Sequence, residues 1–413
     1  MSTLNPRYKI AVIGLGYVGL PLARLFATKY PVLGFDLKTL RINEILEGHD
    51  ATLELSKEEL LEVIKPNHSD ENGLWVTNNR EVLKWANVFI VTVPTPVTPA
   101  KEPDFSALEA ASKTVGQNMS KKSIVIYEST VYPGATEEIC LPILEQESGL
   151  SFNEGFYLGY SPERINPGDK THRIEDIIKV TSGSNPEIAK EIDTLYGSVI
   201  TAGTHIAESI QVAEAAKVIE NAQRDINIAF VNELKQIFDK MNLDTAQVLA
   251  AAKTKWNFLD FYPGLVGGHC IGVDPYYLAH KAKQLGHEPK VILSGREVND
   301  SMAIYHGERI IQKLKDNGID SKGAKILVLG VTFKPNVPDL RNSKVLDVID
   351  FLDNYGCNVY ICDPFVGKNN TCFNTQVIEF DDQPWKDKFD AIEILTFHDK
   401  FKDLKNFTFT NNA

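Results

Sequence analysis

The chain has 413 residues, of which 43% are hydrophobic and 24% are charged, and its formal net charge is −12 at pH 7. At about 150 residues per domain, this length predicts two or three domains. The acidic balance argues against a general nucleic-acid binder, whose contact face is normally basic, although a local cluster of lysine and arginine could still bind an anionic substrate.

The chain carries no sign of a membrane segment or of a disulfide framework. The first apolar run, after Lys9, has the length of a strand rather than of a signal-peptide core, and no uninterrupted apolar stretch reaches the roughly 20 residues that span a bilayer. The five cysteines are odd in number and form no C-x-x-C pair, so neither a disulfide framework nor a metal site is predicted. We therefore expect a cytoplasmic protein without a resident metal.

The first 206 residues have the pattern of an α/β domain. Short apolar runs alternate with helical segments, with strands predicted at 9–13, 32–36, 88–93 and 123–127 and helices at 17–27 and 104–119. Such alternation predicts a parallel, doubly wound sheet of the Rossmann type. We take residues 1–206 as the first domain.

The pattern changes at Ala207. Residues 207–240 contain no glycine or proline and keep apolar residues at helical spacing, which predicts one helix of roughly 34 residues, about 50 Å long. A helix of this length usually links domains or forms a subunit interface. Further helices are predicted at 244–253, 275–286 and 295–316, with a glycine-rich loop at 263–275. Residues 207–316 are therefore expected to form an all-α middle domain.

The pattern of the first domain returns after Asn317. The run 325–330 repeats the character of 9–14, and strands are also predicted at 358–363 and 390–396, around a helix at 342–355. This predicts a second, shorter Rossmann-like domain over 317–413. Its polar tail indicates that the last strand and helix are missing or atypical.

The glycines of the first strand-to-helix turn predict a dinucleotide site. Gly14, Gly16 and Gly19 form G-x-G-x-x-G: the first permits a tight turn, the second lets a pyrophosphate approach the backbone, and the third allows close helix packing. Asp36, at the end of the next predicted strand, can accept hydrogen bonds from a ribose diol and would repel a 2′-phosphate. NAD is therefore favoured, although Lys38 and Arg41 nearby leave some use of NADP open. The alternative is a tight turn without a cofactor.

Cys270 is the candidate nucleophile. It lies in the segment P-G-L-V-G-G-H-C-I-G-V-D-P at 263–275, whereas structural buried thiols usually have aliphatic neighbours on a helix or strand. Flanking glycines let a substrate approach the sulfur closely. The Gly-Gly-His-Cys sequence and the nearby Asp274 favour a reactive thiol over a structural one.

Seven motifs, in order along the chain, carry a family resemblance. They are G-L-G-Y-V-G-L-P (14–21), V-P-T-P (93–96), E-S-T-V-Y-P-G (128–134), S-P-E-R (161–164), A-K-V-I-E-N (216–221), G-G-H-C-I-G-V-D-P (267–275) and G-V-T-F-K-P-N (330–336). The chain resembles the UDP-glucose/GDP-mannose dehydrogenase family over essentially its whole length. The resemblance implies oxidation of a primary alcohol to a carboxylate in two steps, with Cys270 adding to the aldehyde and a thioester then hydrolysed.

The same resemblance implies further catalytic roles. Lys217 and Asn221, four residues apart on the long helix, would hold the oxygen that becomes anionic. Glu163 matches the base for thioester hydrolysis, and Thr130 and Asp274 match residues that hold a water. Two alternatives stay open from the residues alone: Lys217 could be a solvated surface lysine, and Glu163 could be the ion-pair partner of Arg164. His269 is assigned no proton-transfer role, because neighbouring side chains in an extended loop point in different directions.

The binding residues implied by the resemblance fall into two sets. The cofactor set comprises Gly14, Gly16, Tyr17, Val18, Gly19, Asp36, Arg41, Val93, Pro94, Thr95 and Thr130. The substrate set comprises Glu163, Arg164, Lys217, Asn221, Phe258, Gly267, Lys334 and Arg341. Lys334 and Arg341 would lie near the diphosphate or the sugar; alternatively, they are surface charges that balance Asp339. The resemblance also implies a homodimer through the long helix.

The residues around Cys270 bear on the choice of sugar. The UDP-glucose branch of the family typically has serine before the cysteine and Pro-Lys-Asp after it, whereas this chain has His269 before and Gly272-Val273-Asp274 after. This form, with the stretches at 93–99, 160–170 and 255–259, resembles the branch that oxidises UDP-GlcNAc or UDP-GalNAc for capsule and O-antigen synthesis. The C4 configuration stays open, and UDP-glucose or UDP-ManNAc is the alternative substrate. Less favoured rivals are a single-hydride hydroxyacid-type dehydrogenase and a non-catalytic nucleotide-sugar sensor.

Overall fold

The computed structural model describes residues 8–67, 70–165, 171–368, 375–386 and 388–406. Its contacts divide the chain into two units. Unit 1 comprises Met1–Glu220 and Tyr276–His287, and unit 2 comprises Asn221–Pro275 and Glu288–Ala413. The three-domain division at residues 206 and 316 stays a prediction. Residues 166–170 of the sugar-branch stretch, and the tail from residue 407, lie outside the described residues.

A parallel six-stranded sheet forms the centre of unit 1. Its strands are β1 (Ile10–Ile13), β2 (Pro31–Phe35), β3 (Gly73–Thr77), β4 (Val88–Val91), β5 (Ser123–Tyr127) and β6 (Phe156–Tyr160). They are ordered β3-β2-β1-β4-β5-β6 and all pair in parallel. Every residue of β1, β2, β4 and β5 is buried, as expected for strands covered on both faces. The predicted doubly wound fold is confirmed.

Helices connect these strands. They are α1 (Gly19–Ala27), α2 (Thr39–Leu46), α3 (Lys57–Val63), α4 (Ser106–Asn118), α5 (Leu141–Ser148) and α6 (Pro186–Gly197), with 3-10 turns at Arg80–Trp85 and Ile174–Asp176 and a π turn at Thr136–Cys140. A short parallel pair, β7 (Lys179–Thr181) and β8 (Thr204–Ile206), completes the unit. The core of unit 1 lies between the sheet and these helices, where Phe26 contacts Tyr196 edge to face.

Four helices make up the middle of the chain. They are α7 (Ile210–Lys240), α8 (Thr245–Ala252), α9 (Asp274–Gln284) and α10 (Lys290–Asp316). Helix α7 has 31 residues and begins three residues later than predicted. The Ser209 hydroxyl accepts the backbone N–H of Val212 at 3.2 Å, which is the hydrogen bond of a helix N-cap, so the helix begins after Ser209. None of the described helices is both long and apolar enough to cross a bilayer.

Unit 2 contains a second parallel sheet. Its strands are β9 (Lys325–Leu329), β10 (Asn358–Cys362), β11 (Gln376–Val377) and β12 (Ala391–Ile394), in the order β11-β10-β9-β12, with helix α11 (Lys344–Asn354) after β9. Three 3-10 turns lie at Phe380–Asp382, Pro384–Lys386 and Asp399–Asn406. Ile326 and Val328 pack on one face of β9, and Leu327 and Leu329 pack on the other, following the two-residue period of a strand. The predicted second Rossmann-like fold is confirmed.

The first strand of each sheet ends in the same local backbone geometry. In unit 1, Gly14 has a φ of 97° and donates its N–H to Phe35 O at 2.8 Å. In unit 2, Gly330 has a φ of 77° and donates to Cys362 O at 2.9 Å. An aspartate follows the second strand in both cases, Asp36 in unit 1 and Asp363 in unit 2. The positive φ explains why glycine ends the first strand of each sheet.

Candidate active site

The glycine turn of unit 1 lies where β1 passes into α1. A Cβ on Gly19 would overlap Gly14 O and Thr92 Oγ1, whereas a Cβ on Gly16 would meet no atom within 4 Å. The third glycine is therefore required for packing, and the backbone at Gly16 is open to an approaching pyrophosphate. Tyr17 and Val18 are half-buried between them. This geometry fits a dinucleotide.

Asp36 is held against this turn. Its Oδ2 accepts the backbone N–H of Leu15 at 3.0 Å and its Oδ1 accepts that of Lys38 at 2.9 Å. The carboxylate thus lies beside the glycine turn, as a ribose-binding acidic residue does in this fold. The position supports the choice of NAD.

The Arg41 side chain is held by hydrogen bonds beside the glycine turn. Its Nε donates to Leu15 O at 2.8 Å and its Nη2 to Asp50 Oδ1 at 2.7 Å, and the side chain is buried. Nη1 has no hydrogen-bond partner among the described residues, although it lies 3.8 Å from Glu44. Arg41 therefore braces the glycine turn, and its direct contact with the cofactor stays a prediction.

The loops after β4 and β5 are joined at the carboxyl edge of the sheet. Ser129 Oγ donates to Val93 O at 2.6 Å, and Thr95 Oγ1 donates to Thr130 O at 2.7 Å. Tyr277 OH donates to Thr95 O at 2.7 Å, and Pro94 is exposed. Strands β1 and β4 are neighbours at the point where the strand order reverses, which is where doubly wound sheets bind their ligands. The predicted Val93, Pro94, Thr95 and Thr130 thus line the loops at that point.

Glu163 is buried in unit 1 and contacts a lysine that the sequence did not single out. Its Oε1 accepts the backbone N–H groups of Arg164 and Ile165 at 2.6 and 2.5 Å, and its Oε2 lies 3.4 Å from Lys179 Nζ. The Arg164 guanidinium instead pairs with Glu220 at 2.8 Å. The alternative in which Arg164 is the ion-pair partner of Glu163 is therefore wrong.

Lys217 is also buried in unit 1, with 7% of its surface exposed. It lies on α7, and none of the described residues of unit 1 forms a hydrogen bond or ion pair with its ammonium. The alternative of a solvated surface lysine is therefore wrong. A buried cation costs free energy unless a partner compensates it; the catalytic role of Lys217 stays a prediction.

The Cys270 segment of unit 2 forms a tight turn that packs on residues 333–342. A Cβ on Gly267 would lie 2.5 Å from Asn342 O, and one on Gly268 would lie 2.6 Å from the Phe333 ring. The Cys270 carbonyl accepts the N–H groups of Val273 and Asp274 at 3.0 and 2.8 Å. The two glycines before the cysteine therefore serve protein packing, and Cys270 is presented half-buried in front of helix α9.

Asn221 and Asp274 contact each other, although 53 residues separate them along the chain. Asn221 Nδ2 donates to Asp274 Oδ2 at 2.6 Å, and Asp274 is almost completely buried. The hydrogen bond fixes the Asn221 amide, which retains a second N–H for another acceptor.

The His269 side chain contacts Phe333 and Asp339. Its ring packs edge to face on Phe333 with 5.5 Å between centroids, and its Nε2 lies 3.6 Å from Asp339 Oδ2. Burial, with a smaller contribution from Arg341, lowers the pKa of His269 below its usual value. Because the ring packs on Phe333 and its Nε2 lies beside Asp339, no proton-transfer role is assigned to His269.

The candidate substrate cations of unit 2 lie on the loop after β9 and just beyond it. Arg341 is exposed and pairs with Asp339 at 2.6 Å, so the charge balance named as an alternative exists in the structure. Although burial raises the pKa of Asp339, its hydrogen bonds with Arg341 outweigh burial and lower that pKa. Lys334 and Phe258 are half-buried.

A buried aspartate–histidine pair supports that loop. Asp363 Oδ2 accepts Val331 N–H at 2.7 Å and lies 3.0 Å from His398 Nε2, and His398 Nδ1 accepts Asn336 N–H at 2.9 Å. Burial raises the pKa of Asp363, but the His398 hydrogen bond and the backbone donors outweigh it, so the pKa is lowered. The pair holds both ends of the segment that carries Lys334.

Comparison with known proteins identifies the family. Residues 8–200, 211–301 and 327–412 match the NAD binding domain, the central domain and the UDP binding domain of the UDP-glucose/GDP-mannose dehydrogenase family. Two relatives named UDP-N-acetyl-D-glucosamine 6-dehydrogenase, from Pseudomonas aeruginosa and Salmonella typhi, are 52% and 51% identical over 96% of this chain and 92% and 91% of their own lengths. A solved structure of UDP-D-ManNAc dehydrogenase from Pyrococcus horikoshii aligns with a TM-score of 0.84 at 31% identity, covering 96% of this chain and 91% of that one. The resemblance read from the seven motifs is thereby confirmed: the chain belongs to the UDP-glucose/GDP-mannose dehydrogenase family, with NAD as its cofactor.

Proposed function

We propose that this NAD-dependent dehydrogenase oxidises the C6 alcohol of a UDP-N-acetylhexosamine, UDP-GlcNAc or UDP-GalNAc, to the uronic acid for surface polysaccharide synthesis. The observation that carries the proposal is the 52% identity, over 96% of the chain, to an enzyme named UDP-N-acetyl-D-glucosamine 6-dehydrogenase. The sequence around Cys270 supports the same branch. Measuring the NADH formed per sugar, with several UDP-sugars, tests it.

The reaction divides into two oxidations and one hydrolysis. The alcohol loses a proton and a hydride and becomes an aldehyde, and the Cys270 thiolate adds to the carbonyl carbon to give a thiohemiacetal. Loss of a second hydride gives a thioester, and water then adds as the carbon–sulfur bond breaks and the thiolate leaves. Bound NAD supplies the hydride acceptor for both oxidations. The balance is one alcohol, two NAD and one water consumed, with one carboxylate, two NADH and three protons formed.

Three residues of unit 1 are proposed to act on this chemistry. Lys217 stabilises the anionic oxygen of the thiohemiacetal, and its burial supports the role because a partner anion offsets the cost of a buried ammonium. Glu163 takes a proton from the attacking water. Thr130 positions that water with its hydroxyl, which lies on the loop after β5.

Two residues of unit 2 are proposed to act beside the nucleophile. Asn221 donates its second amide N–H to the same developing oxyanion. Asp274 orients Asn221 through the 2.6 Å hydrogen bond and accepts a hydrogen bond from the attacking water.

The UDP-sugar is proposed to bind through the substrate residues that the family resemblance implies. Lys334 and Arg341 supply positive charge to the diphosphate, and Arg164, Phe258 and Gly267 contact the sugar nucleotide. Arg341 would then exchange part of its pairing with Asp339 for a phosphate oxygen. Its exposed guanidinium is compatible with that exchange.

We expect Asp36→Ala to raise the KM for NAD by roughly ten- to hundredfold, the loss expected for hydrogen bonds to a charged acceptor. The KM for NADP should change far less, because removal of the carboxylate also removes its repulsion of the 2′-phosphate. Steady-state kinetics with both cofactors measures the two values. The exposed Glu47 provides a matched control, Glu47→Ala; an unchanged NAD/NADP preference in Asp36→Ala would show that Asp36 does not contact the ribose.

A homodimer through the central helix is proposed as the working assembly. Phe230 and Ile237, seven residues apart on α7, are both exposed and therefore lie on one side of that helix. An apolar stripe of this kind is typical of a surface that a partner covers. Sedimentation equilibrium should give about twice the 46.0 kDa chain mass; a monomer at micromolar concentration would contradict the proposal. The cytoplasmic location stays a prediction.

A further inference from the structure

A cluster of three charged side chains is buried inside unit 1. Lys179, at the start of β7, lies between two carboxylates: its Nζ is 2.7 Å from Glu128 Oε2 and 3.4 Å from Glu163 Oε2. All three residues are at least nine-tenths buried. Glu128 directly follows β5, two residues before Thr130, and Glu163 is the base of the proposed function. The cluster therefore places the proposed base beside Lys179 and Glu128, two charged residues to which no role has been assigned.

The two carboxylates are not equivalent. Glu163 accepts two backbone N–H groups through Oε1, which hold that oxygen in place. Glu128 accepts only side-chain donors among the described residues, the Lys179 ammonium and the Tyr196 hydroxyl. The Arg164 guanidinium is engaged with Glu220, so Lys179 is the cation that faces both carboxylates within the described residues of unit 1.

The charge balance decides where a proton resides. Two carboxylates and one ammonium carry a net charge of −1, which is costly when it is buried. Burial, together with the nearby Glu163, raises the pKa of Glu128 to about 7, against the opposing effects of Lys179 and Tyr196. Although burial alone would lower the pKa of Lys179, Glu128 and Glu163 outweigh it and raise that pKa. As the pH falls through neutrality, Glu128 therefore takes up a proton more readily than an ordinary carboxyl group, while Lys179 keeps its charge.

We propose that Lys179 and Glu128 are positioning residues for Glu163. Lys179 fixes Glu163 Oε2, and Glu128, which also accepts the Tyr196 hydroxyl, fixes Lys179. This inference rests on the proposed role of Glu163 as the base of thioester hydrolysis.

Replacement of Lys179 is expected to move the acid limb of the pH–kcat profile. Lys179→Met removes the cation that lies beside both carboxylates, which makes protonation of the cluster easier, so the acid limb moves to higher pH. Glu128→Gln imitates the protonated form of Glu128, so this variant should leave the limb near its wild-type position. A purely structural role of Lys179 would lower activity without moving the limb.

The experiment measures kcat, both KM values and the pH profile with UDP-GlcNAc and NAD, and detects the acyl-enzyme by intact-protein mass spectrometry after acid quench. Lys179→Met should lower kcat by roughly ten- to hundredfold, leave the KM values within about twofold, and accumulate the thioester. Lys179→Arg should restore most of kcat. Asp193→Asn is the matched control, because Asp193 accepts a hydrogen bond from Thr181 on the same strand without contacting the cluster; it should match the wild type.

Two further variants keep the test decisive. Lys179→Met leaves two buried carboxylates without a cation, which destabilises the fold. The double variant Lys179→Met/Glu128→Gln leaves only one such carboxylate and should still shift the acid limb to higher pH. If Glu163→Gln accumulates thioester while the Lys179 variants leave the acid limb unmoved, the positioning inference is overturned and the proposed function stands. If Glu163→Gln releases acid at the wild-type rate, the proposed base itself is wrong, and this inference falls with it.

Discussion

Cys270→Ser should abolish formation of the uronic acid, with a loss of at least about 10³-fold in turnover, because a serine hydroxyl is far less ionised and less nucleophilic than a thiol at neutral pH. NAD affinity should remain at the wild-type value, because the substitution leaves the glycine turn and Asp36 unchanged. Product analysis by mass spectrometry, together with NAD titration by fluorescence, measures both quantities.

Another cysteine of unit 2, Cys357, provides the control for this substitution. Cys357 is buried directly before β10, and burial raises the pKa of its thiol, so it is a structural thiol. Cys357→Ser should keep turnover in the wild-type range with a small loss of thermal stability. Normal uronate production by Cys270→Ser would refute the covalent mechanism.

Lys217→Met should lower kcat by about 10²- to 10³-fold, the usual cost of removing one preorganised oxyanion donor. Methionine nearly matches the length of lysine and suits a buried position, so the folded state should be retained or stabilised by removal of a buried charge. Steady-state kinetics and thermal unfolding separate the two effects. Lys240→Met, at the exposed end of the same helix, is the matched control. A Lys217→Met variant with kcat within about twofold of the wild type would remove Lys217 from the chemistry.

The central strands could be predicted from the sequence because they are buried on both faces. Strands β1 and β4 are unbroken apolar runs, and β5 is one after Ser123, so they stand out without any partner. Strands β3 and β6, which are the two edges of the sheet, were not predicted. Each contains a partly exposed residue and a glycine, so their sequences G-L-W-V-T and F-Y-L-G-Y lack a continuous apolar signal.

Local motifs of the site were predictable and long-range partners were not. The glycine turn and Asp36 lie within 23 residues of sequence, and their geometry follows from the strand–turn–helix order. The Lys179–Glu128 pair joins residues 51 apart, and no sequence pattern specifies such a contact. One signal was present: Lys179 interrupts the apolar run I-I-K-V at 177–180, and a lysine inside a buried strand requires a charged partner.

The roles of the loop glycines could not be assigned from the sequence. Glycines beside Cys270 indicated close approach of some group to the backbone, and that group could be substrate or protein. The structure shows that Asn342 O and the Phe333 ring occupy the space beside Gly267 and Gly268. Gly16, by contrast, is open, and only its place at the start of a helix distinguishes it in sequence.

Counting the NADH formed per sugar tests most directly whether the protein carries out a four-electron oxidation of an acetamido sugar. The purified chain is incubated to completion with limiting UDP-GlcNAc, UDP-GalNAc, UDP-ManNAc or UDP-glucose and excess NAD, and NADH absorbance is compared with sugar consumed. We predict two NADH per sugar with UDP-GlcNAc or UDP-GalNAc and slower turnover of the other two sugars. One NADH per sugar, with an aldehyde as the product, would contradict the account and would make Cys270 a structural residue.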